Sequence, residues 1–115
     1  MLSKDSIINL IHIFVFFPAL AYVYYLGINK KLTSGICRSM IMVGIIGILY
    51  HAYLLKDSKQ YRMWVYLTHI FIVFPLLIII GYNCEDTMRM FFEMLLLASF
   101  AALGYHSFLF VKYSV

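Results

Sequence analysis

Long apolar stretches, separated by short polar segments, make up most of this chain. They run roughly over Ile7–Leu26, Ser39–Leu55, Met63–Ile80 and Met90–Val111. A helix needs about 20 residues to cross about 30 Å of hydrocarbon, and each stretch approaches that length, the second and third being the shortest. The pattern therefore predicts an all-α integral membrane protein, a four-helix transmembrane bundle in a single domain over residues 1–115.

Composition supports the bilayer as the solvent of this protein. Of the 115 residues, 64% are hydrophobic and 12% are charged, with a mean hydropathy of +0.92. A soluble domain of this size carries far more charge. The formal net charge of +4 is ordinary for a membrane protein and gives no argument for a nucleic-acid partner. The expected partner is the lipid bilayer, and we expect homo-oligomers because four short helices form a small bundle.

The first and third apolar stretches carry nearly the same eleven residues. Residues 10–20 and 67–77 are identical at seven of eleven positions, at a constant offset of 57. A shorter and looser match relates residues 50–54 to residues 105–109, at an offset of 55. An internal duplication is the simplest explanation of two such matches in one short chain.

The repeat predicts two duplicated helical hairpins, over residues 7–55 and 63–111, related by a pseudo-two-fold axis along the membrane normal. Each hairpin contains a Gly-x-Asn segment between its two helices, Gly27–Asn29 and Gly81–Asn83. Glycine and asparagine tolerate left-handed backbone conformations, so these segments are predicted to end the first and third helices.

All four histidines of the chain lie in the duplicated segments. His12 and His69 lie near the starts of the first and third helices, and His51 and His106 lie near the ends of the second and fourth. Each is about five residues, or roughly 7–9 Å, inside its helix end. Four helices place both chain termini on one face, here called side A. The sequence therefore predicts one histidine layer in the side-A leaflet.

Small residues indicate which way two of the histidines face. They recur at helical spacing on the same faces as His51 and His106, and small residues mark the places where membrane helices approach closely. These residues are Gly44, Gly47, Ala98 and Ala102. For His12 and His69, the inward orientation follows from the cost of exposing a polar ring to hydrocarbon.

Four inward imidazoles in one layer are compatible with three kinds of function. The leading hypothesis is that His12, His51, His69 and His106 bind haem b, with electron transfer as the activity, or one transition-metal ion such as Zn or Cu. Histidine also carries protons near neutral pH, which predicts a pH-sensitive proton or ion channel or carrier. The third reading needs no cofactor: interhelical hydrogen bonds, worth about 0.6–2 kcal/mol, fix the helix register of a non-catalytic virion or membrane assembly protein. No catalytic residue is predicted.

Two prolines interrupt the repeated helices. Pro18 and Pro75 each lie six residues after a histidine, in the middle of an apolar stretch. Proline has no N–H, and its ring meets the carbonyl four residues back. The sequence therefore predicts two symmetric helix kinks, either as a simple packing adjustment or as part of a site.

Polar residues near the loops predict the orientation and the links between hairpins. Side A carries five lysines and arginines, whereas the opposite face, side B, carries four, so the positive-inside rule favours cytoplasmic termini. Arg38 and Glu93 lie at comparable places near side B, and we predict an ion pair between them. Cys37 and Cys84 also lie at side B, where they pair in an oxidising compartment and stay free in a reducing one.

The repeated segments resemble those of certain viral membrane proteins. Both hairpins carry His-Ile-Phe followed by Phe-Pro, and then Tyr-His, one further residue, an aromatic residue (Tyr53 or Phe108) and leucine. In this they look like the small, uncharacterised multi-spanning proteins encoded by large double-stranded DNA viruses of eukaryotes. The resemblance implies a virion inner membrane or a host membrane, and no activity. The chain is less like the di-haem four-histidine electron carriers, whose histidines normally lie in layers on both sides of the membrane.

Overall fold

The computed structural model describes residues 1–114 and is built from helices. Four long helices follow one another: α1 (Lys4–Ile28), α2 (Ser34–Lys56), α3 (Gln60–Asp86) and α4 (Arg89–Ser114). All four are long and apolar enough to cross a membrane. The all-α prediction is therefore confirmed, and the composition of the helices is typical of a membrane protein.

Hydroxyl side chains fix the starts of the first two helices. The Ser3 hydroxyl accepts a hydrogen bond from the backbone N–H of Ser6 at 3.1 Å. The Thr33 hydroxyl accepts one from the N–H of Ile36 at 3.3 Å. Each bond satisfies one of the N–H groups that a helix leaves unpaired at its start, which is the usual role of serine and threonine in this position.

The turns after α1 and near the end of α3 differ from the prediction in one respect. The chain turns beside Asn29 and Asn83, but the residues with left-handed φ are Lys30 (54°) and Cys84 (50°). The two glycines of the predicted turns instead lie buried in helix contacts. A methyl group added at Gly81 would lie 2.6 Å from the backbone oxygen of Cys37 on α2. This glycine therefore serves close helix packing rather than helix termination.

Both α1 and α3 contain one π-helical turn just before the proline. These turns span His12–Phe16 and His69–Val73. In each, the backbone N–H that follows the turn donates to the carbonyl of the histidine five residues earlier. A π turn widens the helix locally, and it lies where the ring of Pro18 or Pro75 would crowd a regular α-helix. These two turns depart from the regular α-helix close to the prolines, where the sequence predicts kinks, and the kinks themselves stay a prediction.

The four helices pack as two pairs. Helix α1 packs along α4, and α2 packs along α3, with sparser contacts between the pairs. We call them the 1–4 pair and the 2–3 pair. The main partner of each helix thus lies outside its own predicted hairpin. Where α2 meets α3, a methyl group added at Gly44 would lie 2.5 Å from Ile78 Cγ1, and one added at Gly47 would overlap the Phe74 ring.

The buried apolar core occupies the side-B half of the bundle. Its members come from the end of α1, the first loop, the start of α2, the second half of α3 and the start of α4. They are Leu26, Leu32, Cys37, Met40, Leu76, Leu77, Ile80, Phe92 and Leu95. The buried residues nearer side A are polar, namely Ser6, Asn9 and His106, with Ser99 between the two halves.

A disulfide bond joins Cys37 to Cys84, whose Cα atoms are 5.6 Å apart. The sequence left open whether these cysteines pair, and the structure shows that they do. Cys37 lies in the first turns of α2 and Cys84 near the end of α3. The bond therefore fastens the two helices of the 2–3 pair at side B.

The ion pair predicted between Arg38 and Glu93 is wrong. Glu93 accepts a hydrogen bond from Arg89, one helical turn earlier on α4, at 2.9 Å. The other ion pair of the described residues joins Arg62 to Asp5 at 3.3 Å, at side A. The local partner four residues away is always within reach on a helix, whereas a partner on another helix requires both side chains to extend across the loops.

Candidate functional site

The structure brings the four histidines together in two stacked pairs. The rings of His12 and His106 lie face to face, with centroids 3.9 Å apart and planes inclined by 21°. The rings of His51 and His69 do the same, at 4.6 Å and 12°. Each stack joins the two helices of one helix pair: the first lies in the 1–4 pair and the second in the 2–3 pair.

One contact connects the two stacks. The rings of His12 and His69 meet edge to face, with centroids 6.3 Å apart and planes at 86°. These two histidines occupy equivalent positions of the sequence repeat and begin the two π turns. The four imidazoles, which we call the histidine quartet, therefore span the interface between the 1–4 pair and the 2–3 pair.

Each imidazole of the quartet uses its Nδ1 atom for a hydrogen bond to oxygen. His12 donates to the backbone oxygen of Ile8, His51 to that of Gly47 and His69 to that of Val65, at 2.8, 2.9 and 2.7 Å. A backbone carbonyl only accepts, so Nδ1 carries the hydrogen in these three rings.

The fourth imidazole is held by a side chain from another helix. His106 Nδ1 donates to Asn9 Oδ1 at 2.8 Å, across the 1–4 pair. Both residues are buried, with 6% and 4% of their surface exposed. Sequence reasoning missed Asn9, although Ser3, Ser6 and Asn9 place a polar residue at every third position before His12. That spacing was the available signal, because three-residue steps lie along one side of a helix.

These hydrogen bonds determine what the quartet can do chemically. A neutral imidazole with its hydrogen on Nδ1 has a lone pair on Nε2, which points away from the Nδ1 partner. Histidines that bind metals commonly have this arrangement, in which a carbonyl or carboxylate takes the other ring N–H and fixes the tautomer. The quartet therefore offers up to four Nε2 lone pairs for a metal ion or a proton.

The stacked arrangement limits how many lone pairs reach one ion. The Nε2 lone pair lies in the plane of its ring, so an ion bound in the plane of one ring lies outside the plane of a ring stacked on it. Accordingly, no group of three or more histidine, cysteine, aspartate or glutamate side chains within residues 1–114 is arranged to hold a metal ion. Both stacks have to contribute if one ion is to receive two imidazoles.

A pocket on side A lies beside Tyr66, a neighbour of the quartet. It has a volume of about 340 Å³ and lies between the end of α2 and the start of α3. Tyr66 lines this pocket, and its ring also meets that of His51 edge to face, with centroids 6.1 Å apart. Asp57 and Arg62 place charges at the same pocket. Tyr66 therefore lies between this pocket and the quartet, and none of the four histidines lines the pocket.

The other residues predicted for the site lie around the quartet. Gly47 supplies the carbonyl that holds His51, so it contributes to the site as well as to helix packing. Ala98 and Ala102 are half-buried on α4, but the most deeply buried positions of that helix near the quartet are Ser99 and His106.

No protein-family model matches this chain, and neither a curated protein nor a solved structure matches it. The resemblance to viral membrane proteins therefore stays a prediction. The function has to be argued from the residues and their geometry.

We expect Asn9→Leu to lower the free energy of unfolding by about 1–3 kcal/mol, because it leaves the buried Nδ1–H of His106 without an acceptor. Reversible unfolding in mixed detergent micelles measures the change. Asn29→Leu is the matched control, since the Asn29 amide donates only to the Tyr25 carbonyl on the exposed surface of α1. If both variants unfold alike, the Asn9–His106 bond does not hold the site together.

Proposed function

We propose that this protein binds a transition-metal ion within the membrane, through imidazoles of the histidine quartet. The observation that carries the proposal is the hydrogen bonding of the four rings. Every Nδ1 donates to oxygen, which leaves every Nε2 as a free lone pair in the same layer. Imidazole nitrogen is a good ligand for zinc, copper, iron and nickel.

The apolar side-B half favours binding over conduction. From the quartet towards side B, the interior consists mainly of leucine, isoleucine, methionine and phenylalanine side chains. A proton or ion that reaches the histidines from side A meets this core before it reaches side B. Ser99 is the buried hydroxyl in between, and one hydroxyl does not form a chain of proton donors and acceptors. The proton-channel function therefore stays a prediction from the sequence alone.

The same proposal has a second form, in which the quartet binds haem b instead of a single metal ion. Two imidazoles bind haem iron from opposite sides of the porphyrin. The two rings of each stack are in direct contact, so His12 and His69, one from each stack, would be the residues that hold the haem iron. That arrangement requires the 1–4 pair and the 2–3 pair to move apart. A single ion requires less movement, which is why we favour it.

We expect the purified protein to bind one Zn²⁺, Ni²⁺ or Cu²⁺ ion per chain in mild detergent, as measured by titration calorimetry and by elemental analysis after desalting. A variant with all four histidines replaced by phenylalanine is the control, because it keeps four aromatic rings and removes every Nε2. Equal binding by both proteins would contradict the proposal, as would a wild-type protein that binds none of the three ions. A Soret absorption band after incubation with haem would favour the haem variant instead.

We also propose that the two hairpins arose by duplication. If the two hairpins exchange places, α1 takes the position of α3 and α2 takes the position of α4. The 1–4 pair then takes the position of the 2–3 pair. The same exchange relates the stack of His12 and His106 to the stack of His69 and His51. The position of the two π turns at an offset of 57 residues supports the same relationship.

We further propose that side B faces an oxidising compartment and that the termini are cytoplasmic. The Cys37–Cys84 bond supports this orientation, because disulfides persist in oxidising compartments and are rare in the cytosol. The small excess of basic residues on side A supports it independently.

In membranes from expressing cells quenched with acid, we expect a thiol-reactive polyethylene glycol to label the wild-type protein only after reduction. The Cys84→Ser variant, which frees Cys37, is the control for labelling of a single thiol under denaturing conditions. A wild-type protein that labels at both cysteines before reduction would contradict the proposed orientation.

A further inference from the structure

We propose that the histidine quartet is a clamp: a metal ion takes one imidazole from each stack, His12 and His69, and thereby holds the 1–4 pair and the 2–3 pair together at side A. This inference rests on the proposed metal binding and adds to it the identity of the two ligands and the mechanical effect of the ion.

The ligand pair follows from the geometry of the rings. Neither stack can direct both of its in-plane lone pairs at one ion, so each stack contributes one ring. His12 and His69 are the rings in contact across the interface, and their centroids are 6.3 Å apart. Because these two rings meet edge to face, one of them has to turn before both in-plane lone pairs reach one ion at the usual distance of about 2.0–2.1 Å. His106 and His51 then act as positioning residues that support the two ligands by stacking.

The two ends of the bundle are held together very differently. At side B, the loops after α1 and α3 connect the two helix pairs covalently, and the apolar core contains residues of all four helices. At side A, the loop between α2 and α3 lies within the 2–3 pair. The loops therefore connect the two helix pairs at side B, and no loop within residues 1–114 connects them at side A.

The contacts that link the pairs near side A include one ion pair and two ring contacts. The first is the ion pair of Asp5 with Arg62, whose side chains are 52% and 41% exposed. Exposed pairs of this kind contribute about 0–1 kcal/mol. The second is the edge contact of Trp64 with Tyr105, with centroids 5.3 Å apart. The third is the contact of His12 with His69, which a shared metal ion converts into coordinate bonds. Binding at the quartet therefore controls the separation of the helix pairs.

The test measures distances in the full-length protein carrying the native disulfide. Spin labels at Lys4→Cys on α1 and Lys56→Cys on α2 report the side-A separation of the two pairs, and labels at Met42→Cys and Met90→Cys report a position nearer side B. All four positions are exposed. The probe is Zn²⁺, which is diamagnetic, and pulsed electron paramagnetic resonance measures the distance distributions with and without it.

We expect Zn²⁺ to narrow and shorten the side-A distribution and to leave the other distribution unchanged. In calorimetry, His12→Phe or His69→Phe removes one of two protein ligands, so each is expected to weaken Zn²⁺ binding more than His51→Phe or His106→Phe. The latter two remove no ligand and keep an aromatic ring that stacks on His69 or His12, so a smaller loss of affinity is expected from them.

Three results overturn the clamp. If Zn²⁺ binds but the side-A distances do not change, or if all four single variants lose the same affinity, the clamp is wrong and metal binding stands. If Zn²⁺ does not bind to the labelled or the unlabelled protein, the clamp fails together with the metal-binding proposal for this ion.

Discussion

The hydrogen bonds of the four imidazoles are the interaction on which the rest of this structure depends. In the side-B half, the helices are held by an apolar core and a disulfide. In the side-A half, the interior is made of histidine, asparagine and serine side chains. Such groups are tolerated away from water only when they are hydrogen-bonded. The Nδ1 bonds meet this condition, and they do so mainly with carbonyls of the histidines' own helices.

The use of Nδ1 for all four hydrogen bonds has a chemical consequence. Because each ring satisfies its N–H through Nδ1, none of the four needs its Nε2 atom to hold the fold. The lone pairs therefore remain available in a layer that lies near side A. The stacking of the rings in two pairs then places the site at the interface between two halves of the molecule, rather than within one of them. Binding and helix separation are coupled for that reason.

Sequence alone predicts a large part of this arrangement. The length of the apolar stretches gives the four helices, and the depth of His12, His51, His69 and His106 within them gives their shared layer. These properties depend on distance along one helix, where the rise per residue is fixed. The small residues of α2 are likewise predictable from their spacing, and Gly47 in particular lies where a neighbouring helix approaches.

Properties that depend on how helices pair were harder to predict. The helices are apolar on all sides, so their pattern does not select α4 as the partner of α1. Unless it is known that α1 packs along α4, the hydrogen bond between Asn9 and His106 cannot be predicted. For the same reason, the sequence does not favour Arg89 over Arg38 as the partner of Glu93. The pairing of Cys37 with Cys84 depends in the same way on the contact of α2 with α3. The π turns were missed because the prolines indicate a disturbed helix and not its form.

The protonation state of the four rings tests the central claim most directly. Nitrogen-15 nuclear magnetic resonance of histidine-labelled protein in lipid nanodiscs, at a pH where the rings are neutral, distinguishes a nitrogen that carries hydrogen from one that does not. The structure predicts hydrogen on Nδ1 and a bare Nε2 in all four imidazoles, with contacts between the rings of His12 and His106 and of His51 and His69. Hydrogen on Nε2 in most rings, or the absence of contacts between rings, would contradict this account.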